Sequence, residues 1–238
     1  GYGGFQISLE PWYSRGMGAA WYSRGGVLVV ANIRGGGEFG PRWHQAAIKE
    51  NKQRSYDDFI AVAEDLVRRK ITSARQLGIE GGSNGGLLVG AVMVQRPELF
   101  NAVVCQVPLL DMKRFHKLLA GASWMAEYGN PDKPEDWAVI SRYSPYQNVK
   151  RGGGYPTPLF TTSTRDDRVH PGHARKMVAR LRELAQLDTD DVARMAPVGL
   201  DRDRVGQRIH GVEDDQVGRR DHAVRKQRSA RHRLFRHP

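Results

Sequence analysis

Apolar and polar positions along the first half of the chain change their spacing from segment to segment. Residues 26–32 read Gly-Val-Leu-Val-Val-Ala-Asn, a continuous β-branched run that is typical of a strand covered on both faces. Residues 56–70 place apolar side chains on one side of a helix and acidic ones mostly on the other. The pattern therefore predicts a buried strand followed by an amphipathic helix.

The same change of spacing continues to residue 184. Strands that alternate with helices predict a parallel sheet with helices on both faces. A longer aromatic-rich stretch, residues 108–150, is interpreted as a helical excursion whose rings belong mainly to the core. The further strands are predicted at 77–80, 102–107 and 158–163, and the further helices at 86–95 and 171–184.

Residues 81–85 read Gly-Gly-Ser-Asn-Gly and lie between a predicted strand and a predicted helix. The pattern G-x-S-x-G in this frame indicates a nucleophile elbow, in which a sharp turn lifts a serine hydroxyl out of the sheet edge. Glycines are needed there because a strained turn leaves no space for neighbouring Cβ atoms. We therefore interpret Ser83 as a nucleophile. A plain tight turn is the alternative, because the bare pattern also occurs by chance in glycine-rich chains.

Asp166 follows the strand predicted at 158–163, so Asp166 and Ser83 both lie at carboxyl ends of strands, where parallel sheets bind ligands. A nucleophile followed by an acid is the chain order of an α/β-hydrolase, whose histidine comes last. The acid orients the imidazole and stabilises the imidazolium. A surface turn with a local ion pair is the alternative for residues 166–168. Because the chain also contains the elbow, we favour the role of catalytic acid for Asp166.

Composition narrows the classes of protein further. The net charge is +11, and the single cysteine excludes an internal disulfide framework; Cys105 is predicted to be a packed, inert thiol. No membrane span and no signal peptide are expected, and the compartment stays open between cytoplasm and periplasm. The glycines of residues 34–40 match no phosphate-binding pattern, so this segment is interpreted as a connector. We expect neither a cofactor nor a metal.

Residues 187–238 lose the periodicity, contain a single aromatic residue, Phe235, and are rich in arginine. We interpret them as a separate tail, either read out of frame from about residues 185–188 or a disordered basic extension. A third interpretation is a nucleic-acid-binding tail on a non-enzymatic scaffold. It is disfavoured because no aromatic stacking residues are interleaved with the arginines.

Four separated motifs resemble the peptidase domain of the prolyl oligopeptidases. They are Gly-Tyr-Gly-Gly-Phe at 1–5, Asn-Ile-Arg-Gly-Gly-Gly-Glu-Phe-Gly at 32–40, the elbow with its extra glycine at 81–86, and Asp-Asp-Arg-Val at 166–169. The likeness covers about residues 1–186. It implies a serine peptidase that hydrolyses short proline-containing peptides through an acyl-enzyme.

The resemblance implies catalytic roles for four residues. Ser83 would be the nucleophile and Asp166 the acid of the triad. The backbone N–H of Asn84 and the hydroxyl of Tyr2 would form the oxyanion hole, because a phenol donor beside a main-chain donor suits a tetrahedral oxyanion.

The resemblance also implies four substrate-binding residues. Trp124 would stack on the proline ring at P1, a match of two flat apolar surfaces. Phe5 and Tyr128 would line the same pocket. Arg168 would hold a carbonyl of the substrate backbone by charge-assisted hydrogen bonds.

This sequence departs from the family at both ends. It has no Gly-Gly-His-Gly loop, from which the family takes its catalytic histidine. His170 and His173 follow Asp166 too closely to be that histidine, and we expect solvated or capping roles for them. His210 is the one tail histidine at a plausible distance. The residues of this sequence also lack the family's strands before Tyr2 and its β-propeller, a domain that we expect in the full-length protein. We therefore expect an incomplete peptidase domain, prone to aggregation and inactive or impaired. An esterase or acylaminoacyl-type hydrolase that uses the same elbow is the alternative function.

Overall fold

The centre of the fold is a parallel sheet of three strands. In the computed structural model, which describes residues 1–185, the strands lie in the order β1-β2-β3. Because all three are parallel, their carboxyl ends meet at one edge. The predicted parallel sheet is confirmed, whereas the expectations for residues 187–238 lie outside the described residues. The strands are β1 (Gly78–Gly82), β2 (Ala102–Gln106) and β3 (Pro158–Thr161).

Helices connect the strands, as the alternating pattern predicts. Short 3-10 turns lie at Tyr22–Arg24, Lys49–Asn51, Pro97–Leu99, Phe115–Lys117 and Leu119–Trp124. The α-helices are α1 (Arg15–Ala20), α2 (Pro41–Gln45), α3 (Gln53–Arg68), α4 (Asn84–Gln95), α5 (Met125–Tyr128), α6 (Pro134–Tyr143), α7 (Pro145–Asn148) and α8 (Gly172–Ala185).

The core lies where α4 packs against β1 and β2. Helix α4 is buried along most of its length, because its sequence is apolar on every side. Val103 and Cys105 of β2 are fully buried, and the Cys105 thiol lies 3.2 Å from the carbonyl oxygen of Gly86 in α4. Burial raises the pKa of Cys105. The predicted packing of the thiol is therefore confirmed, and its inertness stays a prediction.

Residues 26–32 do not form the predicted strand. Val27 and Val29 expose 65% and 44% of their surface, so the segment is not covered on both faces. A strand needs a hydrogen-bonded neighbour, and within residues 1–185 no strand pairs with this segment. Ala31 near its far end is nevertheless buried, and Ile33, just beyond the segment, packs against Gly3. The β-branched composition gives the tendency to form a strand but does not supply the partner.

Residues 108–150 form the predicted helical excursion, and its rings lie mainly in the core. Phe115, Tyr128 and Tyr143 are all buried, and Tyr128 packs edge-on against Phe115 with ring centroids 5.4 Å apart. Tyr143 packs against Tyr56 of α3, with centroids 5.3 Å apart. These contacts join the excursion to the helices beside the sheet.

Candidate active site

Ser83 occupies the sharp turn between β1 and α4. Its backbone has φ 56° and ψ −116°, a conformation that a side-chain-bearing residue adopts at an energetic cost. It is the N-cap of α4 and is 5% exposed. The backbone N–H groups of the first turn of α4 therefore lie beside Ser83, where they favour negative charge.

The two glycines that flank the serine motif pack against each other. A Cβ on Gly81 would overlap the carbonyl group of Gly85, and a Cβ on Gly85 would overlap the carbonyl oxygen of Gly1. A Cβ on the next glycine, Gly86, would lie 2.7 Å from the Pro108 ring. The turn is therefore tight because the strand, the helix and residues 1–2 approach within backbone contact. This is the physical reason that the sequence pattern requires glycine.

Asn84 is the first residue of α4 and connects the turn to two other segments. Its side-chain Nδ2 donates to the carbonyl oxygen of Tyr2 at 2.6 Å, and its Oδ1 accepts from the Tyr128 hydroxyl at 2.6 Å. Burial raises the pKa of Tyr128 well above its usual range, so the hydroxyl stays protonated and can donate. Sequence reasoning used only the backbone N–H of Asn84 and missed the role of its side chain.

Residues 1–5 lie against the elbow. Gly3 has φ 65° and its carbonyl oxygen accepts from Lys52 Nζ at 3.0 Å and from Ser55 Oγ at 3.2 Å. A Cβ on Gly4 would lie 2.5 Å from the Asn84 amide nitrogen. The backbone on both sides of the Tyr2 carbonyl is thus fixed by buried donors and by close packing. The sequence gives no signal for Lys52, because lysine is usually exposed.

The three aromatic residues predicted for the proline pocket lie in two segments beside the elbow. Phe5 and Tyr128 pack edge to face, with ring centroids 5.7 Å apart and planes at 84°. Trp124 is buried at the end of the 3-10 turn that runs directly into α5, which carries Tyr128. The backbone N–H of Ala120 in this turn lies 3.4 Å from the carbonyl oxygen of Arg168. The pocket segment therefore also contacts the segment that carries Asp166.

Asp166 lies in a turn that follows β3. Its Oδ1 accepts from the backbone N–H groups of Arg168 at 3.0 Å and Val169 at 2.8 Å, which fixes the carboxylate relative to the main chain. Ser83 and Asp166 follow β1 and β3, the outer strands of the three, at the same edge of the sheet. The predicted placement of both side chains at carboxyl ends of parallel strands is confirmed, and their catalytic roles stay predictions.

The four histidines of the described residues all have partners other than Ser83. His44 Nε2 lies 2.7 Å from Glu127 Oε2, and His116 Nε2 lies 2.9 Å from an oxygen of Asp132. Neither contact involves the serine hydroxyl. Within residues 1–185, no histidine hydrogen-bonds to Ser83.

His173 is buried, so the prediction of a solvated or capping role for it is wrong. It is 1% exposed, and its Nδ1 accepts from the backbone N–H groups of Leu110 at 3.3 Å and Asp111 at 3.1 Å. Burial lowers the pKa of His173 to about 4, so the ring is neutral near pH 7. His170 behaves as predicted for a local cap, because its Nδ1 accepts from Gly172 N at 2.9 Å.

A candidate metal site and a helix that could span a membrane are both absent from the described residues, 1–185. In this part of the chain, no group of His, Cys, Asp and Glu side chains is arranged to hold a metal ion. None of the helices there combines the length and the apolar character that crossing a bilayer requires.

Comparison with known proteins places this chain in one family. The model of the prolyl oligopeptidase family, Peptidase S9, matches residues 12–196. A peptidase of Sinorhizobium fredii is 60% identical over 183 residues, which are 77% of this chain and 25% of that protein. A prolyl endopeptidase of Dictyostelium discoideum is 46% identical over 182 residues, which are 76% of this chain and 24% of that protein.

A solved structure gives the same result at the level of the fold. It comes from a structural and mechanistic analysis of two prolyl endopeptidases, with a TM-score of 0.75, 50% identity, and coverage of 77% of this chain and 27% of the other. The expected α/β-hydrolase fold is thereby confirmed. The chain spans about a quarter of the length of the curated relatives it matches. The family match, the sequence identity and the fold together show that the chain belongs to the prolyl oligopeptidase family.

Proposed function

We propose that this chain carries the catalytic edge of a serine peptidase that cleaves short peptides after proline through an acyl-enzyme. The observation that carries the proposal is the backbone of Ser83, which is held at φ 56° between a strand and the N-terminus of a helix. Such strain is retained where the surrounding structure enforces it, and it clusters at functional sites. Membership of the family supports the same reaction class.

In the proposed reaction, Ser83 Oγ attacks the carbonyl carbon of the scissile bond while a histidine accepts its proton. The same histidine then protonates the leaving amine as the acyl-enzyme forms, and water reverses the sequence. Asp166 orients the imidazole. The Asn84 backbone N–H and the Tyr2 hydroxyl stabilise the oxyanion. The location of Asn84 at the first position of α4 supports its part, because that N–H has no partner within the helix.

Specificity for proline is assigned to the aromatic residues beside the elbow. The indole of Trp124 offers a flat apolar surface to a pyrrolidine ring, and the Phe5–Tyr128 pair provides an adjoining wall. Arg168 would hold a backbone carbonyl of the substrate. An esterase with the same elbow would not depend on the indole, so Trp124→Ala separates the two functions.

The general base is the weakest part of the machinery in this chain. Each of the described histidines has another partner, and His210 lies outside the described residues. A serine without a base is a poor nucleophile near neutral pH. We therefore propose that the chain by itself turns over slowly.

The test is hydrolysis of two chromogenic peptide anilides that differ only in proline or alanine at P1. We expect slow release that favours proline, disappears in Ser83→Ala, and loses its preference in Trp124→Ala while hydrolysis of a small ester is retained. Equal release from both anilides would contradict the proline specificity. Release that persists in Ser83→Ala, or no release from the proline anilide, would contradict the peptidase.

A further inference from the structure

A cluster of the buried Lys52 and Glu127 with the partly buried His44 lies beside the candidate oxyanion hole. Lys52 is 0% exposed, and its Nζ donates to Glu127 Oε1 at 2.9 Å. The second oxygen of Glu127 lies 2.7 Å from His44 Nε2. Desolvation lowers the pKa of Lys52, and the adjacent Glu127 carboxylate opposes that shift. None of these three residues has a part in the proposed reaction.

A buried ion pair is weak evidence that the pair stabilises the fold. Desolvation of the two charges offsets much of their attraction, and apolar residues of similar volume are often as stable. Such a pair is better explained by a role in fixing the position of a neighbouring segment. The second partner of Lys52 Nζ identifies the segment that is held, because Nζ also donates, at 3.0 Å, to the carbonyl oxygen of Gly3, the residue that follows Tyr2.

Two consecutive residues, Glu127 and Tyr128, position the side chains that donate to the Tyr2 and Gly3 carbonyl groups. Glu127 holds Lys52, which donates to the Gly3 carbonyl; Tyr128 holds the Asn84 amide, which donates to the Tyr2 carbonyl. The backbone from which the Tyr2 phenol projects is therefore fixed on both sides. Both attachments come from α5, the helix that follows Trp124 directly.

We propose that Lys52 is a positioning residue that, together with Glu127 and His44, holds the Tyr2 hydroxyl at the oxyanion site and couples it to the proline pocket. The proposal rests on the proposed function in assigning the phenol to the oxyanion. A proline bound against Trp124 that displaces this turn would also displace Tyr2, because α5 connects the two. The cluster thus links recognition of P1 to stabilisation of charge at the reacting carbonyl.

The first test measures amide hydrogen exchange in the full chain and needs no catalysis. In Lys52→Met, we expect exchange in peptides covering residues 1–6 to rise about tenfold or more, while the amides of β2 and α4 keep their protection. The control is Lys70→Met, which removes the charge of an exposed lysine and should leave both regions unchanged.

A second variant separates positioning from structural support. Lys52→Met together with Glu127→Gln leaves no unpaired buried charge, so stability should recover, yet the Gly3 carbonyl still lacks its lysine donor. Exchange in residues 1–6 should therefore stay high. Its return to the wild-type level, or unchanged exchange in Lys52→Met, would overturn the proposal.

A double-mutant cycle then tests the route through Tyr2. Lys52→Met should slow reaction of Ser83 with a fluorophosphonate about tenfold in the wild-type background but less than about twofold in Tyr2→Phe, because interacting residues are not additive. Equal factors in both backgrounds would overturn the route. If Ser83 is unreactive in every variant, the proposed function fails, and the exchange experiment alone decides whether Lys52 holds the loop.

Discussion

The two halves of the candidate site are built differently. The serine half is made of buried segments that approach within backbone contact: the Ser83 turn, the start of α4 and residues 1–4. The acid half is a local turn after β3, in which Asp166 accepts from two nearby backbone N–H groups. The difference indicates that the serine half depends on long-range packing, whereas the Asp166 carboxylate of the acid half is held by hydrogen bonds within its own turn.

Helix α8 follows the acid turn and is joined to residues 110–111 through His173, whose protonation at low pH gives the largest expected effect on stability. The folded pKa of about 4 lies below the ordinary value of 6.5, so the unfolded chain binds a proton first. The stabilisation is fully present above pH 6.5 and is lost as pH falls toward 4, by about 3 kcal/mol. Urea unfolding of the full chain at several pH values measures this, and His173→Gln should flatten the dependence. An equally steep dependence in that variant would assign it to other groups.

The serine half should not tolerate a single added methyl group at its closest approach. In Gly85→Ala the new Cβ would overlap the Gly1 carbonyl oxygen and displace Tyr2, so we expect the reaction of Ser83 with a fluorophosphonate to slow about a hundredfold. The matched control is Gly82→Ala, whose nearest neighbour would be Gln106 Oε1 at 3.6 Å, an ordinary contact. Similar rates for both variants would show that the close packing has no catalytic consequence.

Replacement of Asp166, the central residue of the acid half, should change stability only slightly. Asn at position 166 keeps an oxygen that can accept from Arg168 and Val169, so Asp166→Asn should alter the free energy of unfolding by less than about 1 kcal/mol. Urea unfolding measures this. A loss of several kcal/mol would show that the acid turn also depends on long-range packing.

The features that the sequence predicts well are those with a local cause. The G-x-S-x-G pattern leads to the elbow because Gly81 is required by a contact with Gly85 within the turn itself, although Gly85 also meets the distant Gly1. The Asp166 turn is predictable for the same reason. Residues 26–32 have an equally clear apolar pattern, but no neighbouring strand in the described part of the chain pairs with them, and the predicted strand is absent.

The features that sequence reasoning misses are polar side chains buried by distant segments. Lys52 and His173 belong to types that are usually exposed or functional, and nothing in their neighbours along the chain shows that Gly3 or the Leu110 backbone will meet them. The Asn84 side chain is similar, because its partners are residues 2 and 128. A pairing across such separations is decided by the packed fold and has no periodic signal.

The most direct test of the account is the site and extent of modification by a fluorophosphonate. The full chain is incubated with the probe and mapped by mass spectrometry, with Ser83→Ala and a urea-unfolded sample as controls. The account predicts one phosphonyl group per chain on Ser83, absent from Ser83→Ala and formed much faster in the folded than in the unfolded chain. Modification elsewhere, or a Ser83 that reacts no faster when folded, would contradict the claim that the strained turn makes this serine a nucleophile.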